Sequence, residues 1–405
     1  MEKTPKAFKN GMHRSVPPSE TVAKAVPFLS AMGITRVANV TGLDRLGIPV
    51  FNAYRPNSKS LSVAQGKGLT PVAAKASAMM EAIEVFHAEE IDGVLKTESF
   101  NAFRIGHRVI DIDGLARLRG ARFDPDKAFR WIEGQDLMNG GAAWVPFELV
   151  HTDYTIPRAV DAGCFVASTN GLASGNLSIE AIVHGIYEVI ERDAHTLWHL
   201  ASGDIKARTR IDPSTIADDA NKGLLKQFRD AGMTVAVWDL TSDIGVPTLF
   251  CLITDDRGGG HSGAGAGTHL NREIALLRAM TEAAQVRTNY ITGARDDLRL
   301  SEYASAGIEE KNRRARILMN FGNAPQRDFD AVPDRDFQTF ETDLDFLLER
   351  LARVGVTEVV SVDLTKADFG IPVVRIVIPG LEGPHDHEAY QMGARARSLY
   401  ARTRQ

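Results

Sequence analysis

Cysteine is nearly absent from this 405-residue chain: Cys164 and Cys251 alone occur, far apart in sequence. Two isolated thiols exclude a disulfide scaffold and a CxxC zinc site. No apolar run approaches the roughly 18 residues that a membrane span requires. Positive charge is not in excess either. The 47 Lys and Arg against 52 Asp and Glu leave a net charge of −5, which argues against a dedicated nucleic-acid binder. The opening stretch Met1–Lys9 lacks the apolar core of a secretory signal. These absences predict a soluble, reduced, cytoplasmic protein with no nucleic acid and no membrane among its partners. Local basicity is confined to the last stretch, where Arg395, Arg397, Arg402 and Arg404 read as a solvated helix face. What is present is ordinary globular composition, 44% hydrophobic and 24% charged, in a chain long enough for two or three domains or one elaborated one.

An internal repeat organises the chain. Met32–Val40 runs on to Gly47–Val50 and Phe51–Tyr54. A second version is Ala231–Asp239, then Gly245–Pro247, then Leu249–Ile253, and a third is Val354–Asp363, then Gly370–Val373, then Val374–Ile378. An amphipathic helix precedes each copy. Gly33, Gly232 or Gly355 stands where a helix ends in a left-handed residue. The Gly-x-Pro step then divides the β-branched run into two strands, because proline cannot sit inside a central ladder. The pattern predicts an intertwined α+β fold, and its irregular spacing rules out a solenoid. Residues 100–220 form a long insertion with a helix of its own.

Three helices share an unusual face. Thr70 and Pro71 cap a helix from Val72 to about Glu90, on which Ser77, Glu81 and Glu84 share one side at 100° per residue, opposite Met79, Ile83 and Phe86. The loop Ser168–Asn176 feeds a helix from Ser178 to Leu200 that sets Glu180, His184, Glu188 and Glu191 opposite Ile182, Ile186 and Val189. A glycine-rich stretch, Gly263–His269, leads into a helix starting near Asn271 that carries Arg278, Glu282 and Gln285 on one face. Each stripe alone passes for a solvated surface. If the three converge, Glu81, Glu84, Glu180, Glu188, Glu191 and Glu282 crowd together, and like charges need compensation. Hard divalent cations supply it, magnesium above all, since it commonly bridges carboxylates to phosphates. Lys67, Arg192 and Arg278 then neutralise a polyphosphate. The glycine-rich stretches, Gly66–Gly68 included, would offer backbone N–H groups to phosphate oxygens. The chemistry implied is nucleotide-dependent phosphoryl transfer.

Standard signatures are missing. Leu61 stands where a Walker loop ending at Gly66-Lys67 needs glycine. Gly263-x-Gly265-x-x-Thr268 lacks the third glycine of the dinucleotide fingerprint. His195 and His199 have metal-site spacing but no HExxH glutamate between them, and read as structural.

Taken in order, Ser77-x-x-x-Glu81-x-x-Glu84, then Glu180 with Glu188-x-x-Glu191-Arg192, then Arg278-x-x-x-Glu282-x-x-Gln285 resemble the ATP-binding pattern of the YcaO superfamily, over about residues 20 to 380. The resemblance implies an α+β, YcaO-type fold of intertwined mixed sheets with flanking helices. Residues 1–60 would be an integral first repeat, 61–385 the ATP-binding catalytic domain and 386–405 a basic helix or tail. It implies ATP and Mg2+ as cofactors. Lys67, Ser77, Asn176, Arg192, Arg278 and Gln285 would contact ATP, and the six glutamates would hold metal. Arg278 and Glu191 are the candidate catalytic pair. Val85 departs from the pattern, which has arginine after the second glutamate of the first motif.

Proteins of this superfamily activate peptide backbone amides by O-phosphorylation, so a peptide or protein substrate is implied. The stretch Gly33–Val50 with Arg55–Val63 resembles the TfuA-associated, thioamide-forming branch, and the proline-rich tail usual in azoline-forming members is absent. The expectation is therefore thioamidation with external sulfide, a TfuA-like sulfur-supplying partner and a homodimer. An azoline-forming cyclodehydratase, a non-catalytic ATP-binding scaffold and a ligase acting on other substrates are the rival expectations.

Overall fold

The computed structural model describes residues 3–402 apart from positions 160, 258, 259, 321, 323 and 388. Arg404 lies outside the described residues. In chain order the first elements are α1 (Pro18–Ala25), β1 (Arg36–Asn39), β2 (Val50–Tyr54), β3 (Val63–Lys67) and α2 (Pro71–Glu89). Next come β4 (Leu95–Ser99), α3 (Phe100–Gly106), β5 (Ala128–Asp136), β6 (Ala142–Pro146), β7 (Leu172–Ser174) and α4 (Ser178–Leu200). The middle holds α5 (Gly203–Arg208), β8 (Arg210–Ile211), α6 (Asp219–Asp230), β9 (Met233–Asp239), β10 (Thr248–Asp255), β11 (Gly263–Thr268) and α7 (Arg272–Thr292). The chain closes with α8 (Leu300–Tyr303), α9 (Ser305–Met319), α10 (Phe340–Arg353), β12 (Val360–Asp363), β13 (Val373–Val377) and α11 (Ala394–Arg402).

The repeat seen in the sequence becomes three sheets. Gly33, Gly232 and Gly355 adopt φ of 69°, 69° and 88°, the left-handed geometry that glycine tolerates best. Each strand pair behind them is antiparallel: β1 with β2, β9 with β10, and β12 with β13. Each second strand then takes a third on its other side, β3, β11 and β7 respectively, again antiparallel. Each third strand leads directly into a long helix, giving β3–α2, β11–α7 and β7–α4. The third unit is permuted, since β7 and α4 precede β12 and β13 in the chain. The insertion expected at residues 100–220 therefore supplies the missing part of the third repeat. β8 extends the second sheet, and β4, β5 and β6 extend the third.

Close strand-to-helix packing explains the glycines and corrects their expected role. Gly263, Gly265 and Gly267 belong to β11, not to a loop. A Cβ on them would stand 2.1, 2.4 and 2.2 Å from the carbonyl oxygens of Ala283, Ala279 and Ala275 of α7. Gly66 of β3 meets Ala78 N and Ala74 O of α2 at 2.0 and 2.2 Å in the same way. These glycines let sheet and helix backbones touch rather than wrapping a phosphate.

The helix ends follow the sequence. Thr70 accepts from Ala73 N at 3.3 Å to cap α2, and Asn271 accepts from Ile274 N at 3.0 Å to cap α7. On α4, Ile186, Val189 and Ile190 pack with Val374 and Ile376 of β13 in one buried cluster, each fully buried side chain contributing roughly 1.5–3 kcal/mol. That burial turns the glutamate face of α4 the other way. The basic tail departs from expectation at one residue. Arg395 of α11 is not solvated but forks onto buried Asp193 of α4 at 2.9 and 3.0 Å, while Arg397 is exposed.

Candidate active site

The three long helices α2, α4 and α7 line one cavity of 520 Å³, a size typical of nucleotide and cofactor sites. Lys67, Ser77, Glu81, Glu84, Asn176, Glu180, Glu188, Glu191, Arg192, Arg278, Glu282 and Gln285 all face it. The structure thus brings every candidate ATP-contacting and metal-holding residue of the sequence analysis to one cavity. They do not crowd around one point, however: among the described residues, no three His, Cys, Asp or Glu side chains gather closely enough to hold a metal ion unaided.

Existing partners explain the spread. Glu282 pairs with Lys67 Nζ at 2.9 Å. Glu84 accepts from Ser174 N at 2.8 Å and Ser174 Oγ at 2.6 Å. Glu180 accepts from Arg14 Nη1 at 2.9 Å, Ser15 N at 3.1 Å, Ser15 Oγ at 2.6 Å and Asn176 Nδ2 at 3.2 Å. Those four donors fill the acceptor capacity of a carboxylate, so a cation at Glu180 would have to displace at least one of them. Asn176 is also engaged through Thr21 Oγ1 at 2.9 Å.

Electrostatics divide the glutamates. Burial pushes Glu81 to about 7, Glu84 to about 8 and Glu188 to about 7, and pushes Glu191 upward too, against the pull of Arg278. Burial acts the same way on Glu282 and Glu180, but is outweighed by Lys67 and Arg192 at the first and by Arg14 and Ser15 at the second, leaving both low. The site therefore holds carboxylates awaiting positive charge beside carboxylates already supplied with it. His184 stays neutral, its pKa driven well down by burial and then by Arg278 and Arg14.

The residues fit a magnesium nucleotide. Glu191 Oε2, Arg278 Nε and Gln285 Oε1 are buried with no protein partner, which is costly unless a ligand completes them. The donor set of carboxylates, two guanidinium groups and an ammonium matches hard cations and phosphate oxygens. Magnesium typically takes only one or two protein carboxylates and completes its shell with phosphates and water, which agrees with glutamates spread along the cavity.

Sequence reasoning missed several lining residues. Arg14 reaches the cavity from a segment pinned by buried Lys6, whose Nζ lies 2.7 Å from Asp343, and its neighbour Ser15 holds Glu180 from behind; no local pattern marks either. Arg55 faces it too, donating to Met32 O at 3.1 Å and Glu89 at 2.8 Å with Nη1 unpartnered. Its signal was available in the Arg55–Val63 stretch. Arg295 also lines the cavity and acts electrostatically on Glu81. Val85 lines the wall with no charge to offer. As read from the sequence, His195 and His199 are packing residues: both rings meet His385, at 4.8 and 4.0 Å.

Comparison with known proteins agrees with this geometry. Residues 65–382 match the family described as YcaO cyclodehydratase, ATP- and Mg2+-binding. A Methanothermobacter thermautotrophicus protein of uncharacterised function is 39% identical over 385 residues, covering 92% of this chain and 96% of its own. A Rhizobium leguminosarum bv. trifolii protein, named for its place in the tfuA 3' region, is 35% identical over 395 residues, covering 95% and 92%. Among solved structures, YcaO from Methanopyrus kandleri bound with AMPPCP and Mg2+ superposes with a TM-score of 0.76 at 24% identity, over 96% of this chain and 99% of that one. A heterocyclase in complex with substrate and cofactor gives 0.79 at 24% identity over 95% of this chain, which spans 54% of the heterocyclase. At that identity the structures speak for the fold. The sequence match over residues 65–382 goes further, and the chain belongs to the YcaO cyclodehydratase family of ATP- and Mg2+-binding proteins.

Proposed function

We propose that this protein uses ATP and Mg2+ to replace a peptide backbone amide oxygen by sulfur, giving a thioamide. One observation carries the reading: the carboxylates and cations of three separate helices meet in a single cavity, with Glu191 and Arg278 left unsatisfied at its wall. An amide carbonyl is a poor electrophile and its oxygen a poor leaving group. Hydrosulfide adding to the carbonyl carbon gives an oxyanion, which takes the γ-phosphoryl group of ATP. Phosphate then departs with the former amide oxygen, the sulfur proton is released and C=S forms, so the balance is amide, hydrosulfide and ATP to thioamide, ADP and phosphate.

Magnesium, when bound, neutralises the polyphosphate and charge on the transferring group. Glu191, Glu188, Glu81 and Glu84 would offer it carboxylates, one or two to an ion, while Glu282 stays paired with Lys67. Arg278 and Arg192 orient phosphate oxygens and stabilise their charge in transfer. Ser77, Asn176 and Gln285 present neutral polar groups to the nucleotide. We assign residues 61–385 to this catalytic unit and 1–60 to its integral first repeat.

The relative from the tfuA 3' region supports a TfuA-like partner, which we propose as the source of the sulfur. We further propose a homodimer working in the cytoplasm; no helix among the described residues is long and apolar enough to cross a membrane. Azoline formation is the second reading, favoured by the cyclodehydratase description of the family. It shares the phosphorylation step and uses a substrate Cys, Ser or Thr as nucleophile. Mass spectrometry of candidate peptides incubated with protein, ATP, Mg2+ and sulfide decides: oxygen-to-sulfur exchange is expected, and loss of water would replace this reading with the second.

A further inference from the structure

Arg375 has a peculiar environment on β13. It is 3% exposed, its Nη2 donates to the Ser168 carbonyl, and its Nη1 is buried without a partner. Among the described residues it forms no ion pair. A guanidinium cannot lose its proton to escape burial, so an uncompensated one is expensive to keep. Asn170 Oδ1 is likewise buried and unpartnered. Both residues line a second, small cavity of 60 Å³ whose other walls include Leu115, Leu149, Val166, Val189 and Glu382; the Glu382 carboxylate accepts from Tyr390 Oη and from the backbone N–H groups of Gly393 and Ala396. That space holds one or two species of water size, each needing about 30 Å³.

The small cavity shares a wall with the large one. Thr169 and Glu188 face the large cavity, and their chain neighbours Ser168, Asn170 and Val189 face the small one. Arg375 also interacts electrostatically with Tyr154 and Glu188, which line the large cavity.

We propose that the pocket at Arg375 and Asn170 binds a small monovalent anion, and that in the reaction proposed above this anion is hydrosulfide waiting beside the amide to be attacked. Arg375 supplies the counter-charge, Asn170 Oδ1 accepts the S–H, and the mainly apolar walls suit a weakly hydrated sulfur anion, the Glu382 carboxylate among them being held by three donors of its own. A water molecule would satisfy both hydrogen bonds but bring no charge to the guanidinium, leaving it to the electrostatic pull of Glu188 across the shared wall. The identity of the anion rests on the thioamide reading; the anion site rests on Arg375 alone.

Crystals of the full chain soaked in sodium bromide test the site directly. An anomalous peak between Arg375 and Asn170 that sodium hydrosulfide displaces is expected; no peak, or only water, overturns the proposal. In solution, Arg375→Met should raise the KM for sulfide at least tenfold while leaving the Kd for ATP unchanged, and Arg375→Lys should recover part of the loss. An unchanged sulfide KM in folded Arg375→Met also overturns it. If that variant does not fold, the bromide experiment on the unaltered chain still decides. Loss of water from the peptide would instead overturn the thioamide reading and the assignment of hydrosulfide while leaving the bromide peak in place, so the two failures are distinguishable.

Discussion

Binding of a magnesium nucleotide should expel protons, and the number can be worked from the cavity. In the free protein, burial holds Glu81 at about 7, Glu84 at about 8 and Glu188 at about 7. At pH 7 a group at 7 is half protonated and one at 8 about nine-tenths, so the three carry about two protons between them. Metal binding favours the ionised carboxylates, and those protons must leave. The same shifts make the free protein lose stability as pH rises from about 4.5 to about 8, because over that range the folded chain keeps protons that the unfolded chain has released. Magnesium nucleotide should therefore raise Tm more at pH 8 than at pH 6. The assay is calorimetric titration of Mg·AMPPCP in buffers of different ionisation enthalpy, where the slope of observed enthalpy against buffer enthalpy counts protons. A release of about two at pH 7 is expected, falling close to zero at pH 9. Glu84→Gln, which keeps an acceptor for Ser174, should lower the count at pH 7 by about one. Tight binding at pH 7 with no proton release would refute the reasoning, since the glutamates would then be ionised already or play no part.

Glu191→Ala should abolish Mg-dependent ATP turnover while leaving Tm close to that of the unaltered protein; unchanged turnover would remove Glu191 from the site. Arg278→Lys should slow turnover by ~10²-fold, because one ammonium cannot replace a guanidinium fork, and a rate close to normal in steady-state assays would contradict its role. Gly265→Ala should destabilise by about 3 kcal/mol or more, or prevent folding, because its Cβ would stand 2.4 Å from Ala279 O; a normal denaturation midpoint would show that β11 and α7 are free to separate.

The helical period placed Glu81, Glu84, Glu188, Glu191 and Glu282 on shared faces because helix phase depends only on neighbours within a few turns. Gly33, Gly232 and Gly355 were legible for the same reason, each marking a local chain reversal. The third unit was not. Its strand β7 is three residues long and pairs with β13, on the far side of another complete repeat. Gly263, Gly265 and Gly267 misled, since alternating glycine looks alike in a phosphate loop and in a strand pressed on a helix; only the presence of α7 against it separates the two. Arg14 and Ser15 find Glu180 through tertiary contact alone. So did the partners that keep the glutamates from meeting at a point.

The permuted order of the third unit has a consequence for synthesis on the ribosome. The first two units pair their strands locally, each strand triplet and its helix emerging in one stretch, although Met79 and Ile83 of α2 end in a buried cluster that also holds Val360 and Val373 of the last strands. α4 emerges long before β12 and β13, so Ile186, Val189 and Ile190 wait without the strand they cover. The large cavity consequently cannot close until the C-terminal strands arrive. A nascent chain halted between α7 and β12 would carry all three long helices but lack strands that α2 and α4 are buried with, a state with apolar surface open to chaperones.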